Sequence, residues 1–220
     1  DGVQEGQIVG TRQAASLSLG IPVTLQDALM ARLDRLGPAK EIAQVGATIG
    51  REFNYDLLRA VAPLNEDTLQ QGLQQLVEAE LVYQSGIAPQ ARYLFKHAMV
   101  QDTAYQSLLK STRQHYHNQI AQVLEKQFEE IKETQPELVA HHYTEAGLIK
   151  QAIPYWQRAG QRANQRSANA EAIGHLTKGL ELLKTLPDTP ERAQQELTLQ
   201  TALGPVLIAT KGYGAPEVEE

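Results

Sequence analysis

Cysteine is absent from the 220 residues, so no disulfide, thiolate–metal site or cysteine nucleophile can operate in this chain. Aromatic residues are scarce at 5%, with one tryptophan and three phenylalanines, which leaves core-building to Leu, Ala, Ile and Val. No apolar run reaches the roughly 20 residues that a membrane-spanning helix needs, and no signal-peptide pattern opens the chain. Positive charge is in deficit: 20 Lys and Arg stand against 26 Asp and Glu, a net charge of −6. That balance argues against a general binder of nucleic acid or of anionic membranes. There is no phosphate loop of the GxxxxGKS/T type, no G-x-S-x-G elbow, no zinc motif and no dinucleotide fingerprint. A cytoplasmic protein segment without a catalytic residue of its own is the expectation.

What the chain does have is helical periodicity. After a Gly-, Gln- and Ser-rich start at 1–20, Thr24 and Asp27 form a candidate capping box. Leu25, Leu29, Leu33 and Leu36 then fall on one helical face, and Gly37-Pro38 ends it. A second helix from about Ala39 presents Ile42, Val45 and Ile49 and stops at Gly50. A short third helix covers 56–61, and Asn65 caps a fourth with Leu69, Leu73, Leu76 and Val77 in a stripe. Two strand-like segments follow, 81–83 and 91–95, separated by Gly86 and Pro89.

Three helices and a two-stranded hairpin make the winged-helix arrangement, over roughly Pro38 to Lys96. The fourth helix holds the place of a DNA recognition helix. Residues 66–80 contain Glu66, Asp67, Glu78 and Glu80 and no Lys or Arg, so they would repel a duplex instead of reading it. No DNA binding is expected from this segment.

Beyond the hairpin the pattern is wholly helical. Val100, Ala104 and Leu108 mark a helix over 97–109, and Tyr116, Ile120, Leu124 and Phe128 mark one over 113–131. Further helices are expected from Pro136 to Gly147, over 149–166 and 168–186, and over 191–208, the last weakened by Gly204-Pro205. Small residues beside a large one suggest tetratricopeptide-like packing. Tyr143, Gly147, Ala152, Trp156 and Ala159 fit one unit, and Ala172 with Leu176 fits a second. The two alanines stand only 20 residues apart, so the helix over 149–166 would serve both units. Stacks of this kind commonly bind proteins along a concave surface.

The six histidines include His115 with His117, and His141 with His142. Neither pair shares a helical face, and ligation needs three or four convergent donors, so no metal site is expected.

The runs IPVTLQDALMARLDRL, IGREF, LFKHAMVQDTAYQSLLKSTRQHYH, AHHYTEAG, RSANAEAI and KGYGAPEVE together resemble one bacterial family. It comprises large STAND-class signalling ATPases, many fused to adenylate or guanylate cyclase domains and some to protein kinases. The resemblance runs from about Ile21 to Glu220. It implies the end of an ATPase helical region or linker at 1–37 and a winged-helix domain at 38–110. A connecting helix at 111–135 and tetratricopeptide-like repeats at 136–220 would follow. In the wider class a histidine opening the helix after the hairpin approaches the β-phosphate of bound ADP. The matching residue is His97, with Lys96 as a second candidate for the same anion; Ala98 stands where the class often has aspartate.

The resemblance thus implies a mainly α segment that relays nucleotide state and partner binding to an output domain elsewhere. No cofactor is expected within it, while ATP or ADP with Mg belongs to the parent chain. Its partners would be the upstream nucleotide-binding domain and a protein on the repeats, with no membrane contact. The alternatives are a free-standing winged-helix and repeat adaptor, or part of a transcriptional regulator. Asp1 is not a start methionine, and 215–220 reads as the opening of a helix, so continuation at both ends is expected.

Overall fold

The computed structural model describes residues 24–211. The Gly-rich start and the helix expected at 215–220 lie outside the described residues. Within them the protein is mainly helical, with one small three-stranded sheet.

Helix α1, Leu25–Asp34, opens as expected. The Thr24 hydroxyl accepts from the Asp27 amide and the Asp27 carboxylate accepts from the Thr24 amide, both at 3.1 Å. Its leucine stripe is shorter than expected. Leu33 is buried and Leu29 and Leu36 pack against the core, but Leu25 is 62% exposed.

Helices α2 (Pro38–Ile49), α3 (Tyr55–Val61) and α4 (Glu66–Glu78) enclose the first part of the core. Asn54 and Asn65 cap α3 and α4, their side-chain oxygens accepting from the amides of Leu57 at 2.8 Å and Thr68 at 2.9 Å. Each cap satisfies one of the amides that a helix start leaves without an intrahelical partner. Leu69, Leu73 and Leu76 on α4 are buried, as are Ile42 and Val45 on α2.

The expected two-stranded hairpin is a three-stranded antiparallel sheet. Strand β1 (Glu52–Asn54) pairs with β3 (Arg92–Phe95), which also pairs with β2 (Val82–Ser85), giving the order β1–β3–β2. A three-residue strand is too short to display a period of two, which is why β1 leaves no trace in the pattern. Phe53 faces Tyr93 across the ladder, with ring centroids 5.6 Å apart, and Phe95 packs beside them at the same distance from Phe53. Two of the chain's three phenylalanines thus anchor one buried sheet face. The other face carries Glu52, Tyr83 and Leu94 to solvent.

Helices α5 (Ala98–Gln106) and α6 (Lys110–Gln127) follow. The single helix expected over 113–131 is divided: α6 ends at Phe128, whose backbone leaves the helical region at φ −120° and ψ 62°, and α7 is Glu129–Thr134. Helices α8 (Pro136–Glu145), α9 (Ile149–Gln165), α10 (Asn169–Leu183) and α11 (Pro190–Lys211) then pack in succession, α9 touching both α8 and α10. The expected weakening at Gly204-Pro205 does not end α11. Pro205 lies within it, while Leu199, Val206 and Leu207 are buried and hold it to the stack. One cluster of buried side chains runs from Leu33 through Phe95, Ile120 and Tyr143 to Leu199. Among the described residues, no helix is long and apolar enough to cross a membrane.

Helices α9 and α10 cross closely. A Cβ added at Gly160 would lie 2.4 Å from Cγ of Leu176, which is fully buried and has no room to swing aside. Overpacking costs about 1–3 kcal/mol, against about 1 kcal/mol that alanine gains over glycine in helix propensity. Gly160→Ala is therefore expected to lower the thermal midpoint, measured by circular dichroism; an unchanged or raised midpoint would show that the crossing has slack.

Candidate functional site

His97 stands at the junction of β3 and α5. It is the N-cap of α5, with φ −133° and ψ 141°, and its carbonyl accepts from the Val100 amide at 3.0 Å. Its side chain caps no backbone amide and is exposed, beside the exposed Ala98 and Met99. The imidazole is thus available to a ligand or to a docking domain, next to the amides of a helix start. Lys96 is differently placed. Its ammonium lies 3.5 Å from the Glu80 carboxylate and 4.7 Å from the centre of the Tyr83 ring. With one anion and one aromatic face already in contact, Lys96 is the weaker anion ligand of the two.

Of the seven residues expected to pack the repeats, six lie on α8, α9 and α10, and Gly147 lies in the turn after α8. Ala152, Ala159, Ala172 and Leu176 are buried, as is Tyr143. Trp156 donates from Nε1 to the Thr144 hydroxyl at 3.0 Å and stacks on His175, with ring centroids 5.5 Å apart. Gly147 closes α8 at φ +76°, a left-handed conformation that favours glycine. A small residue at the crossing of α9 and α10, Gly160, was not singled out by the repeat pattern.

A polar knot joins α6 to this stack. Tyr143 of α8 and Tyr155 of α9 each donate a hydroxyl hydrogen bond of 2.6 Å to the two oxygens of Glu125 on α6. Burial pushes the Glu125 carboxyl up, but these two bonds, helped by the charges of Lys132 and Lys126, outweigh it and hold the group below the ordinary value. Both phenols are raised, by burial first and then by their bonds to Glu125.

Three of the histidines converge where helices α6 and α8 pack, which the spacings within each helix did not indicate. His117 of α6 meets His142 of α8 with Nδ1 atoms 2.8 Å apart, and both residues are buried at 2% exposure. Nε2 of His117 lies 3.0 Å from the Tyr105 hydroxyl of α5. His141 is exposed, with its ring centroid 5.8 Å from that of His117 and 5.3 Å from that of His142. Burial lowers His117 to about 4, with the charges of His141 and Arg113 acting in the same direction, and it holds His142 well below the ordinary histidine value. Both rings are neutral at pH 7, and one donates its Nδ1–H to the lone pair of the other. His115 stays outside the cluster, but the adjacent His141 and His142 of α8 both bring a ring nitrogen to it, against the expectation from their spacing, and the third donor arrives from the facing helix. A signal was present, since His117 borders the buried stripe of Tyr116, Ile120 and Leu124, but its partner lies 25 residues on, where no spacing rule reaches.

No family model matches the chain, and no solved structure matches it. It is 29% identical over 188 residues to an uncharacterized protein of Rhizobium meliloti (strain 1021). The matching region is 85% of this chain and 18% of that relative, so the chain spans under a fifth of the length of the curated protein it resembles.

Two outcomes are expected of the Glu125 knot. Glu125→Ala leaves two half-buried hydroxyls without their acceptor and should cost about 1–3 kcal/mol in urea unfolding. A carboxyl depressed in the folded state adds stability that is complete above its ordinary value of 4.5 and is lost as the pH falls through the folded value. Glu125→Gln should therefore flatten part of the acid limb of thermal stability against pH; superimposable acid limbs for the two proteins would contradict the linkage.

Proposed function

We propose that this chain is the regulatory and protein-interaction segment of a multidomain, ATP-dependent signalling protein of the STAND class, working in the cytoplasm. On this reading a winged helix at 38–110 docks on an upstream nucleotide-binding domain, and a helical stack from 136 engages a protein partner. Binding of that partner biases the closed state and so the output domain, for which an adenylate or guanylate cyclase or a kinase is the proposal.

The winged-helix part is supported by the element order α2–β1–α3–α4–β2–β3 and by the central place of β3 in the sheet. The repeat-like part is supported by the buried Ala152, Ala159 and Ala172 at the contacts of α9 and α10, and by Trp156 between Thr144 and His175. That the matching region is 18% of the Rhizobium relative favours a segment within a longer protein.

The observation that carries the reading is the outward face of α4. Its exposed residues are Glu66, Asp67 and Glu78 with Gln70, Gln71, Gln74 and Gln75. Such a face offers no cation to phosphate, so the unit works as a docking module and not as a reader of DNA. The exposed His97 would then reach the β-phosphate of ADP held, with Mg, in the neighbouring domain.

Purified alone, the chain is expected to hydrolyse no ATP and to retard no duplex at physiological salt; retardation in a gel shift would revive the transcriptional reading. In the full-length protein, His97→Ala is expected to lower the amount of ADP that co-purifies, read by chromatography after heat release, or to raise basal output. Wild-type values of both would remove the nucleotide role and leave His97 as a helix-start residue.

A further inference from the structure

We infer that His117, His141 and His142 form a site for one divalent transition-metal ion of the zinc or cobalt type, which ties α6 to α8. The inference is independent of the signalling role. Each of the three imidazoles offers one nitrogen, and these atoms all lie within 4.8 Å of one another. Zinc binds imidazole nitrogen at about 2.0–2.1 Å, which sets tetrahedral donors about 3.3 Å apart. The Nδ1 atoms of His117 and His142 stand at 2.8 Å. Replacing the proton between them by a metal needs them to part by only about half an ångström.

The surroundings fit the same reading. A metal-bound histidine usually engages its second ring nitrogen in a hydrogen bond, which fixes the tautomer. His117 does so here, with Nε2 at 3.0 Å from the Tyr105 hydroxyl and Nδ1 turned to the common point. His141, being exposed, gives the ion an entry path and leaves a fourth position to water. Three imidazoles without a thiolate suit zinc, copper, nickel and cobalt better than magnesium or calcium. Arg113, whose guanidinium lies 5.1 Å from the centre of the Tyr105 ring, is the opposing charge nearby. Glu145, one helical turn beyond His141, acts on the same tyrosine with the opposite sign. A hydrogen-bonded histidine pair would account for His117 and His142 but gives His141 no part.

The experiment is calorimetric titration of the tag-free chain with zinc chloride, repeated with cobalt chloride while the visible bands of tetrahedral cobalt are followed. One ion per chain should bind saturably. His141→Ala changes an exposed side chain, so its fold should be retained, yet it should weaken binding by tenfold or more, on the order of the loss when a metal site is perturbed. His115→Ala, an exposed histidine of α6 outside the cluster, should bind as the wild type does. Failure of both metals to bind saturably would overturn the site. So would wild-type affinity in His141→Ala, or an equal loss in His115→Ala.

Discussion

Helix α6 has to satisfy two neighbourhoods at once, and the architecture follows from how it does so. Toward α2 and α3 it buries Tyr116, Ile120 and Leu124, and the Tyr116 hydroxyl reaches Glu41 of α2 at 3.3 Å. Toward α8 and α9 it presents His117 and Glu125, groups that are costly to bury unless fully hydrogen-bonded. The apolar side supplies adhesion with little directional demand. The polar side supplies direction, because two tyrosines and one histidine must arrive in register or leave partners unsatisfied. The sheet-containing half and the helical stack are thereby joined by contacts that tolerate little slippage.

Much of the fold was legible in the sequence, and what was missed has physical reasons. Thr24 with Asp27, Asn65 before Glu66, Pro136 and Gly147 act on neighbours within four residues, so local chemistry announces them. Strand β1 is too short for a period, and its identity comes from pairing with β3, about 40 residues away. Phe128 looks helical by spacing, yet the chain turns there to begin α7. Pro205 looks like a stop, yet burial of Val206 and Leu207 outweighs the one lost hydrogen bond. As for the sites, His97 was visible as a residue opening a helix. The histidine cluster was not, since its members converge only when α6 and α8 pack.

Lys96 is engaged by Glu80 and Tyr83, and the outward face of α4 is made of acids and amides. Of the cations around the sheet, Lys96 pairs with Glu80 and Arg92 with Glu52, while Arg51, just before β1, is exposed. On the same solvent-facing side of the sheet Tyr83 and Leu94 are exposed, a modest apolar patch within a polar surround.

The double service of α9 has an evolutionary corollary. Tyr155 is aimed at Glu125 of α6, while Gly160, little more than one turn further on, receives Leu176 of α10. Inserting or deleting one residue between them would rotate one set against the other by about 100°. No side-chain substitution compensates for such a rotation. Descendants of this sequence can therefore drift in composition along α9 but not in length between those two points, whereas the turn between α10 and α11 carries no comparable phase. The spacing of Tyr155 and Gly160 is thus a constraint in addition to the identity of the two residues.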